Sequence, residues 1–358
     1  MRFLFKTHYR QDVTLFKHNG QRFWYSLLLA VVMLAPMVMD EFYLGELALV
    51  YIYAVAGIGL MLLVGYTGLV SLGHAAFLAI GAYAHTWFLS HGWPFPLALL
   101  KASLITALVG AIVGLPAMRM TGIYLAIATM AFAVIVEQVI VHWDSVTGGF
   151  RGMLVPQAQF LGFDLGGSIP FYFLCLFVLL ACLLLALNIL RSPTGRAMTA
   201  VRDSEISAQS MGIHLARTKS ISFAISAGFT GLAGGLLAHK MGYLAPDAFT
   251  ILISIQLLLM VVVGGLGSMH GLFYGAIFIG LLHQGIALMR DSLPPAVSQI
   301  PGLEPRIFGL ILVLFLIYEP LGIYGRWLQI RQYFELFPLY RKSTHKRQKS
   351  YLRTERMR

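Results

Sequence analysis

The sequence predicts an all-α membrane protein, a polytopic bundle of about ten transmembrane segments with both termini on the cytoplasmic side. Three observations support this fold class: the composition, ten apolar stretches near bilayer length, and an uneven distribution of Lys and Arg. Of the 358 residues, 58% are apolar and 11% are charged, whereas soluble domains carry about 25% charged residues. Lipid is therefore the expected solvent for most of the chain.

Ten apolar stretches lie along the chain, each near the roughly 20 residues that a helix needs to cross about 30 Å of hydrocarbon. Their approximate positions are 24–39, 47–64, 70–89, 96–117, 122–142, 169–190, 221–238, 251–263, 272–289 and 307–321. The stretch at 251–263 is too short for a full crossing unless the glycine-rich residues after it also enter the membrane. We predict a transmembrane permease domain at 24–325, a basic cytoplasmic arm at 1–23 and a basic cytoplasmic tail at 326–358.

The positions of the basic residues set the predicted orientation. Lys and Arg near membrane ends are retained on the cytoplasmic side. Of the 26 such residues, ten crossings with the N-terminus inside leave only five outside: Lys101, Arg151, Lys240, Arg290 and Arg306. The net charge of +11 lies mainly in the two termini and one loop. This pattern argues against nucleic-acid binding and favours anionic lipid as the neighbour.

The basic loop at 191–220 has features of a short helix that docks on a partner. Ser192 is suited to cap a helix with Pro193 at its first position, and Gly212 fits the position just past a helix end. Four residues at intervals of three or four would share one face of a continuous helix: Arg202, Glu205, Ala208 and Gly212. A solvated loop helix with an ordinary charge pattern is the alternative.

Glycines and hydroxyls cluster at 65–77, where the third crossing begins. They suggest a broken or re-entrant backbone, which membranes tolerate only where it is buried in protein or lines a water-filled path. Freed amides there could bind a substrate carboxylate. A tight cytoplasmic turn before a closely packed helix is the alternative. The candidate substrate path comprises Gly68, Ser71, Gly73, His74, Thr129 and Glu137.

Two further features are weaker. Glu137 lies five residues before His142, about 8 Å along a helix, so an interhelical hydrogen bond explains it better than proton coupling. Residues 64–68 and 263–267 share a glycine-rich pattern, which indicates either an internal repeat or chance similarity in apolar sequence.

An outer loop carries four candidate residues: Thr147, Gly148, Gly149 and Arg151. Its glycines permit turns of positive φ. The guanidinium of Arg151 suits an acidic group on a ligand or partner. A plain flexible loop is the alternative.

The sequence lacks the motifs of several enzyme classes. It has no G-x-x-x-x-G-K-[ST] phosphate loop, so we do not expect the chain to hydrolyse ATP. H-E-x-x-H and G-x-S-x-G motifs are also missing, which argues against a membrane protease or lipase. The histidines lack ligand spacing, so neither a metal nor a cofactor is expected in this chain. A stand-alone proton-coupled transporter and a membrane-embedded enzyme are the rival functions.

Several of these motifs together carry a family resemblance over about 47–325. They lie at 68–77, 81–83, 122–129, 147–149, 202–212 and 263–268. Their order and spacing resemble those of the permease subunits of branched-chain amino acid ABC importers, the LivM-type group. Relatives in this family also carry urea, short amides, other amino acids and aromatic acids, so the resemblance leaves the ligand open.

The resemblance implies an assembly in a bacterial cytoplasmic membrane. Its partners would be a second, LivH-type permease subunit, two cytoplasmic ATPase subunits that use ATP, and an extracytoplasmic substrate-binding protein. Arg202, Glu205, Ala208 and Gly212 would then belong to the coupling helix that sits on an ATPase subunit. The arm and the tail extend beyond the shared core.

Overall fold

The computed structural model describes residues 19–118, 120, 122–160, 163–292, 303–319 and 321–336. These residues are predominantly helical, and each of the ten predicted apolar stretches coincides with a helix. The main helices are α1 Asn19–Leu34, α2 Glu41–Leu60, α3 His74–Ser90, α4 Phe95–Gly114, α5 Ile123–His142, α6 Ser168–Arg191, α7 Pro193–Asp203, α8 Glu205–Ser210, α9 Leu215–Met241, α10 Ile251–Gly264, α11 Met269–Ser292, α12 Leu303–Tyr318 and α13 Gly322–Leu336. Residues 1–18 and 337–358, which hold most of the predicted arm and tail, lie outside the described residues.

Two short strand pairs add to the predicted all-α fold. β1 Met153–Leu154 pairs antiparallel with β4 Tyr243–Leu244, and β2 Gln159–Phe160 pairs with β3 Phe163–Asp164. The β1–β4 ladder ties the loop after α5 to the turn after α9. Its backbone amide and carbonyl groups are thereby paired where no helix can pair them.

Six helical segments among the described residues are long and apolar enough to cross a membrane. They are Glu41–Tyr66, Phe95–Gly114, Ile123–His142, Ser168–Arg191, Leu215–Met241 and Pro246–Gly264. The last is lengthened by the turn Pro246–Phe249 at its start and not by the glycine-rich residues after it. The chain is a polytopic membrane protein, while ten crossings and cytoplasmic termini stay predictions.

Both ends of the bundle extend further than the apolar stretches predicted. α1 begins at Asn19, inside the predicted arm, and α13 runs to Leu336, inside the predicted tail. A segment predicted from apolar side chains ends where the first charged side chains occur. Helical hydrogen bonding needs no apolar side chain, so these helices continue past that limit.

Helix α9 lies at the centre of the bundle and packs against α2, α3 and α4. Its membrane-length window is 78% buried, the highest share of the six segments. A Cβ atom at Gly81 of α3 would collide with the backbone of Gly231, and one at Gly110 of α4 would lie 2.7 Å from the Phe223 carbonyl oxygen. Lipid provides no hydrophobic force between helices, so such close packing holds them together.

The backbone is irregular between α2 and α3. A π-helical stretch, Met61–Tyr66, continues α2, and residues 67–73 form no helix before α3 begins at His74. Thr67, Leu69 and Ser71 are buried. Of the two alternatives left by the sequence, the structure shows a broken backbone buried in protein, and the third predicted crossing shortens to 74–90.

Candidate coupling loop and buried polar cluster

The loop between α6 and α9 folds into two short helices, α7 and α8, and not into the single predicted helix. Ser192 caps α7 by accepting a hydrogen bond from the Gly195 amide at 3.4 Å, and Pro193 occupies the first helical position as predicted. The chain becomes extended at Ser204, whose hydroxyl accepts from the Ser207 amide at 3.2 Å. A serine cap stabilises a new helix start, which explains the break at this position.

This break separates the four residues that the sequence placed on one helix face. Arg202 lies on α7, Glu205 and Ala208 lie on α8, and Gly212 follows α8. Gly212 adopts the expected positive φ, +83°. Ala208 is buried, and the two charged residues contact the transmembrane helices. The prediction that the four residues share the face of one continuous helix is therefore wrong, and their role in docking stays a prediction.

Arg202 lies against two glycine-rich turns. Its Nη1 donates to the Gly65 carbonyl oxygen at 3.0 Å, while Nε and Nη2 donate to Asp203 Oδ1 at 3.1 and 3.0 Å. A Cβ atom at Gly68 would lie 3.1 Å from Arg202 Cγ, and one at Gly267 would lie 3.1 Å from Nη1. One nitrogen of the guanidinium thus bonds to the transmembrane segment, while 37% of the side chain stays exposed.

Glu205 forms an ion pair with Lys219 in the second turn of α9. Lys219 Nζ lies 2.8 Å from Oε1 and 2.9 Å from Oε2. The lysine side chain is fully buried, whereas 35% of the Glu205 side chain is exposed. A buried ammonium requires a compensating charge, so this pair fixes α8 to α9. Sequence reasoning missed Lys219 because a lysine near a membrane end is typical of any cytoplasmic flank.

The exposed side of the α6–α9 loop is apolar at two positions. Ile206 and Met211 are each 84% exposed, and they lie five residues apart on and just after α8. Exposed apolar groups that cluster on a short element are typical of an interaction surface. Sequence reasoning overlooked them because it weighed only the charged and small residues of this loop.

Four of the six predicted path residues meet in a buried cluster where α3 begins: Ser71, Gly73, His74 and Thr129. Thr129 Oγ1 accepts from the Leu72 amide at 2.9 Å, and a Cβ atom at Gly73 would lie 2.7 Å from the Thr129 carbonyl oxygen. His74 Nε2 lies 2.9 Å from Ser226 Oγ. Nδ1 of His74 is buried without a hydrogen-bond partner. The cluster offers uncharged donors and acceptors away from solvent.

Helix α9 carries a stripe of hydroxyl groups that reaches this cluster at Ser226. They recur every fourth residue and are buried: Thr218, Ser222, Ser226 and Thr230. Ser222 donates to the Thr218 carbonyl oxygen at 2.8 Å, and Thr67 Oγ1 lies 3.3 Å from Ser222 Oγ. The four-residue period was visible in the sequence and is the signal that would have found this stripe.

Glu137 and Gly68 lie apart from the cluster. Glu137 follows Thr129 by eight residues on α5, about 12 Å further along the helix, and is partly exposed. Gly68 is exposed, with φ of +76°, beside Arg202. Within the part of the chain that the structure describes, no group of three or more His, Cys, Asp or Glu side chains could hold a metal ion.

The outer-loop motif forms a compact turn. Gly148 and Gly149 have φ of +74° and +58°, as their sequence predicted. Thr147 is buried, its Oγ1 lies within 2.8 Å of two carbonyl oxygens at the end of α5, and the Gly149 amide donates to it at 3.2 Å. Arg151 is exposed beside Phe150, which is 84% exposed. Three residues thus shape the turn, and Arg151 faces outward from it.

Comparison with known proteins identifies the family. A family profile described as "Branched-chain amino acid transport system / permease component" matches residues 42–318. The chain belongs to this family. The high-affinity branched-chain amino acid transport system permease proteins LivM of Salmonella typhimurium and Escherichia coli are 31% and 32% identical to it over 329 residues. Each alignment covers 85% of this chain and 75% of the relative.

A sister permease is related more distantly. LivH of Escherichia coli is 24% identical over 295 residues, which cover 76% of this chain and 91% of that protein. No solved structure matches the chain. Membership in a permease family confirms the LivM-type resemblance and the expectation of a transport component that is not an enzyme. The profile match covers both the α6–α9 loop and the buried cluster.

We expect unequal effects from removing the two members of the ion pair. Glu205→Gln leaves the buried Lys219 ammonium without a counter-charge, which should lower stability by about 3 kcal/mol. Lys219→Met leaves a carboxylate that water still reaches, so its loss should be smaller. Thermal unfolding of the detergent-solubilised protein measures both changes.

The matched control for this pair is Arg217→Gln, an exposed cation on the same helix, which should leave the unfolding midpoint unchanged. The double variant E205Q/K219M should be more stable than E205Q alone. Additive losses in the double variant would show that the two side chains do not interact.

Proposed function

We propose that the chain is the permease subunit of an ATP-driven importer for branched-chain or related amino acids. It forms the membrane path together with a second permease subunit of LivH type. The observation that carries this proposal is the 31–32% identity to two LivM proteins over 85% of the chain. The distant relation to LivH supports a sister subunit of the same family.

The buried cluster at the start of α3 is the proposed substrate path. Ser71, His74 and Thr129 present neutral polar groups beside Ser226 of α9. Neutral donors can bind the carboxylate of an amino acid zwitterion and neutral acceptors can bind its ammonium group. The cluster is closed to solvent in this conformation, and transport requires a second conformation that opens it. Gly68 and Glu137 lie outside this path.

ATP is proposed to act through partner subunits. Two cytoplasmic ATPase subunits bind and hydrolyse it, and this chain needs no cofactor of its own. We assign the contact with the ATPase to Ile206 and Met211, because these apolar side chains are exposed, whereas Ala208 is buried and Arg202 is bonded to the Gly65 carbonyl oxygen and to Asp203. Exposed apolar side chains close together on a surface are typical of a protein interaction site.

The opposite side of the bundle is proposed to receive the substrate-binding protein. Phe150 and Leu154 are 84% and 77% exposed there, and Arg151 lies between them in sequence as a partner for an acidic group. We place the assembly in a bacterial cytoplasmic membrane, with ten crossings and both termini inside, as the distribution of Lys and Arg favours.

The first prediction from the proposed function concerns ATPase docking. Met211→Glu puts a charge on the proposed contact and should reduce co-purification of the ATPase subunits at least tenfold. Met241→Glu makes the same substitution at the far end of α9 and should leave co-purification unchanged. Equal effects of the two variants would exclude docking at Met211.

The second concerns orientation. Cysteine placed at Gln209 should react with a membrane-impermeant maleimide only after the cells are permeabilised, and cysteine placed at Phe150 should react in intact cells. The native Cys175 and Cys182 are buried, so background labelling should be low. The reverse pattern would invert the topology and remove the coupling mechanism.

The third concerns transport itself. The complete assembly in vesicles should import leucine when ATP is supplied, and an ATPase subunit that cannot hydrolyse ATP should abolish import. Urea, a short amide and an aromatic acid serve as competitors, and stronger competition from one of these would change the substrate class. Uptake driven by a pH gradient without ATPase subunits would instead support the proton-coupled alternative.

A further inference from the structure

Two glycine-rich turns contact each other beside Arg202 of α7. The first comprises residues 65–68, where the π-helical end of α2 gives way to the irregular segment before α3. The second comprises residues 264–268, between α10 and α11. A Cβ atom at Gly65 would lie 2.8 Å from the Gly267 amide nitrogen, so the two turns are in backbone contact.

Arg202 is the side chain that joins both turns to α7. Its Nη1 donates to the Gly65 carbonyl oxygen at 3.0 Å, and its stem lies over Gly68. Gly68 and Gly267 both have φ of +76°, a conformation that other residues rarely adopt. A side chain at either position would also press on the arginine. The glycines thus provide both the turn and the space for Arg202.

The chemistry of arginine suits this position. The planar guanidinium holds Asp203 with Nε and Nη2, which leaves Nη1 free to reach the Gly65 carbonyl oxygen. Lysine carries a single ammonium and lacks this fixed fork. Asp203 therefore sets the direction in which Nη1 points.

We infer that Arg202 is a positioning residue that clamps the two glycine turns to α7, so that displacement of the α6–α9 loop moves the start of α3. This inference rests on the proposed role of the loop in coupling. The turns connect the ends of α2 and α10 to the starts of α3 and α11. The buried cluster with Ser71 and His74 begins three residues after Gly68, which gives the loop a short path to the proposed substrate site.

The Glu205–Lys219 ion pair has a separate place in this arrangement. It fixes α8 to α9, and α9 packs against α3. The loop is thus held at two points, at Arg202 on the glycine turns and at Glu205 on α9. Force on the exposed Ile206 side chain, which lies next to Glu205, is transmitted through both points.

The clamp is tested first on the permease alone, by hydrogen exchange of the amides at 65–72. Arg202→Gln removes the bond to Gly65 and should speed exchange about tenfold, equivalent to about 1.4 kcal/mol. Arg202→Lys should give a smaller increase. Arg217→Gln, an exposed arginine outside the clamp, should give none. Unchanged exchange in Arg202→Gln would overturn the clamp, whatever the protein transports.

The second measurement uses the assembled transporter in vesicles and compares amino acid imported with ATP hydrolysed. Arg202→Gln should keep its ATPase subunits and hydrolyse ATP, but import per ATP should fall at least tenfold. Gly267→Ala, whose Cβ atom would press on Nη1, should lower import per ATP to the same extent. This variant tests the clamp if Arg202→Gln does not fold.

Two outcomes would overturn the inference while leaving the proposed function intact. One is import per ATP equal to wild type in both variants. The other is loss of ATPase subunits from Arg202→Gln to the same extent as from Met211→Glu, which would make Arg202 a docking residue. An assembly that imports no amino acid, with faster exchange in Arg202→Gln, would refute the proposed substrate and leave the clamp in place.

Discussion

A break in a helix within hydrocarbon leaves backbone groups that water cannot reach, and in this chain α9 provides the cover for such a break. Gly231 of α9 allows α3 to approach to backbone contact, and Gly110 of α4 allows that helix to approach the Phe223 carbonyl oxygen of α9. Its hydroxyls at Ser222 and Ser226 reach Thr67 and His74, on either side of the irregular segment. Helix α9 thus supplies the packing and bonds to side chains at the break, whereas the backbone amides of Leu72 and Ala75 donate to Thr129 Oγ1 of α5 and Ser254 Oγ of α10.

The α6–α9 loop divides its chemistry between two sides. Arg202 and Glu205 form short, directed bonds to the transmembrane segments, with 37% and 35% of their side chains exposed, whereas Ile206 and Met211 are apolar and 84% exposed. Charge-assisted hydrogen bonds fix geometry, while exposed apolar side chains are typical of an interaction surface. An element that transmits motion needs rigid attachment on the side that it moves. The charges of a coupling loop therefore need not mark its partner.

The sequence predicted those features that one segment of chain determines alone. Hydrocarbon thickness sets helix length, so the ten apolar stretches each coincide with a helix, and Ser192 with Pro193 starts α7 as expected. The break at Ser204 was missed because the even spacing of polar and small residues suited one continuous helix. The burial of Lys219 depends on packing between distant segments, which neither charge counts nor spacing record. For the same reason the sequence could not show that Ser71 and Thr129 meet while Glu137 lies apart.

The similarity between residues 64–68 and 263–267 has a physical explanation that does not require a repeat. Gly68 and Gly267 share the same φ, +76°. A Cβ atom added at either glycine would lie 3.1 Å from the Arg202 side chain. A turn that ends one helix beside this arginine needs a residue without a side chain and with access to positive φ, and only glycine meets both conditions. Both turns contact Arg202, and each therefore requires glycine at the position next to it. Shared geometry can produce the likeness even where the two halves of the bundle have no common origin.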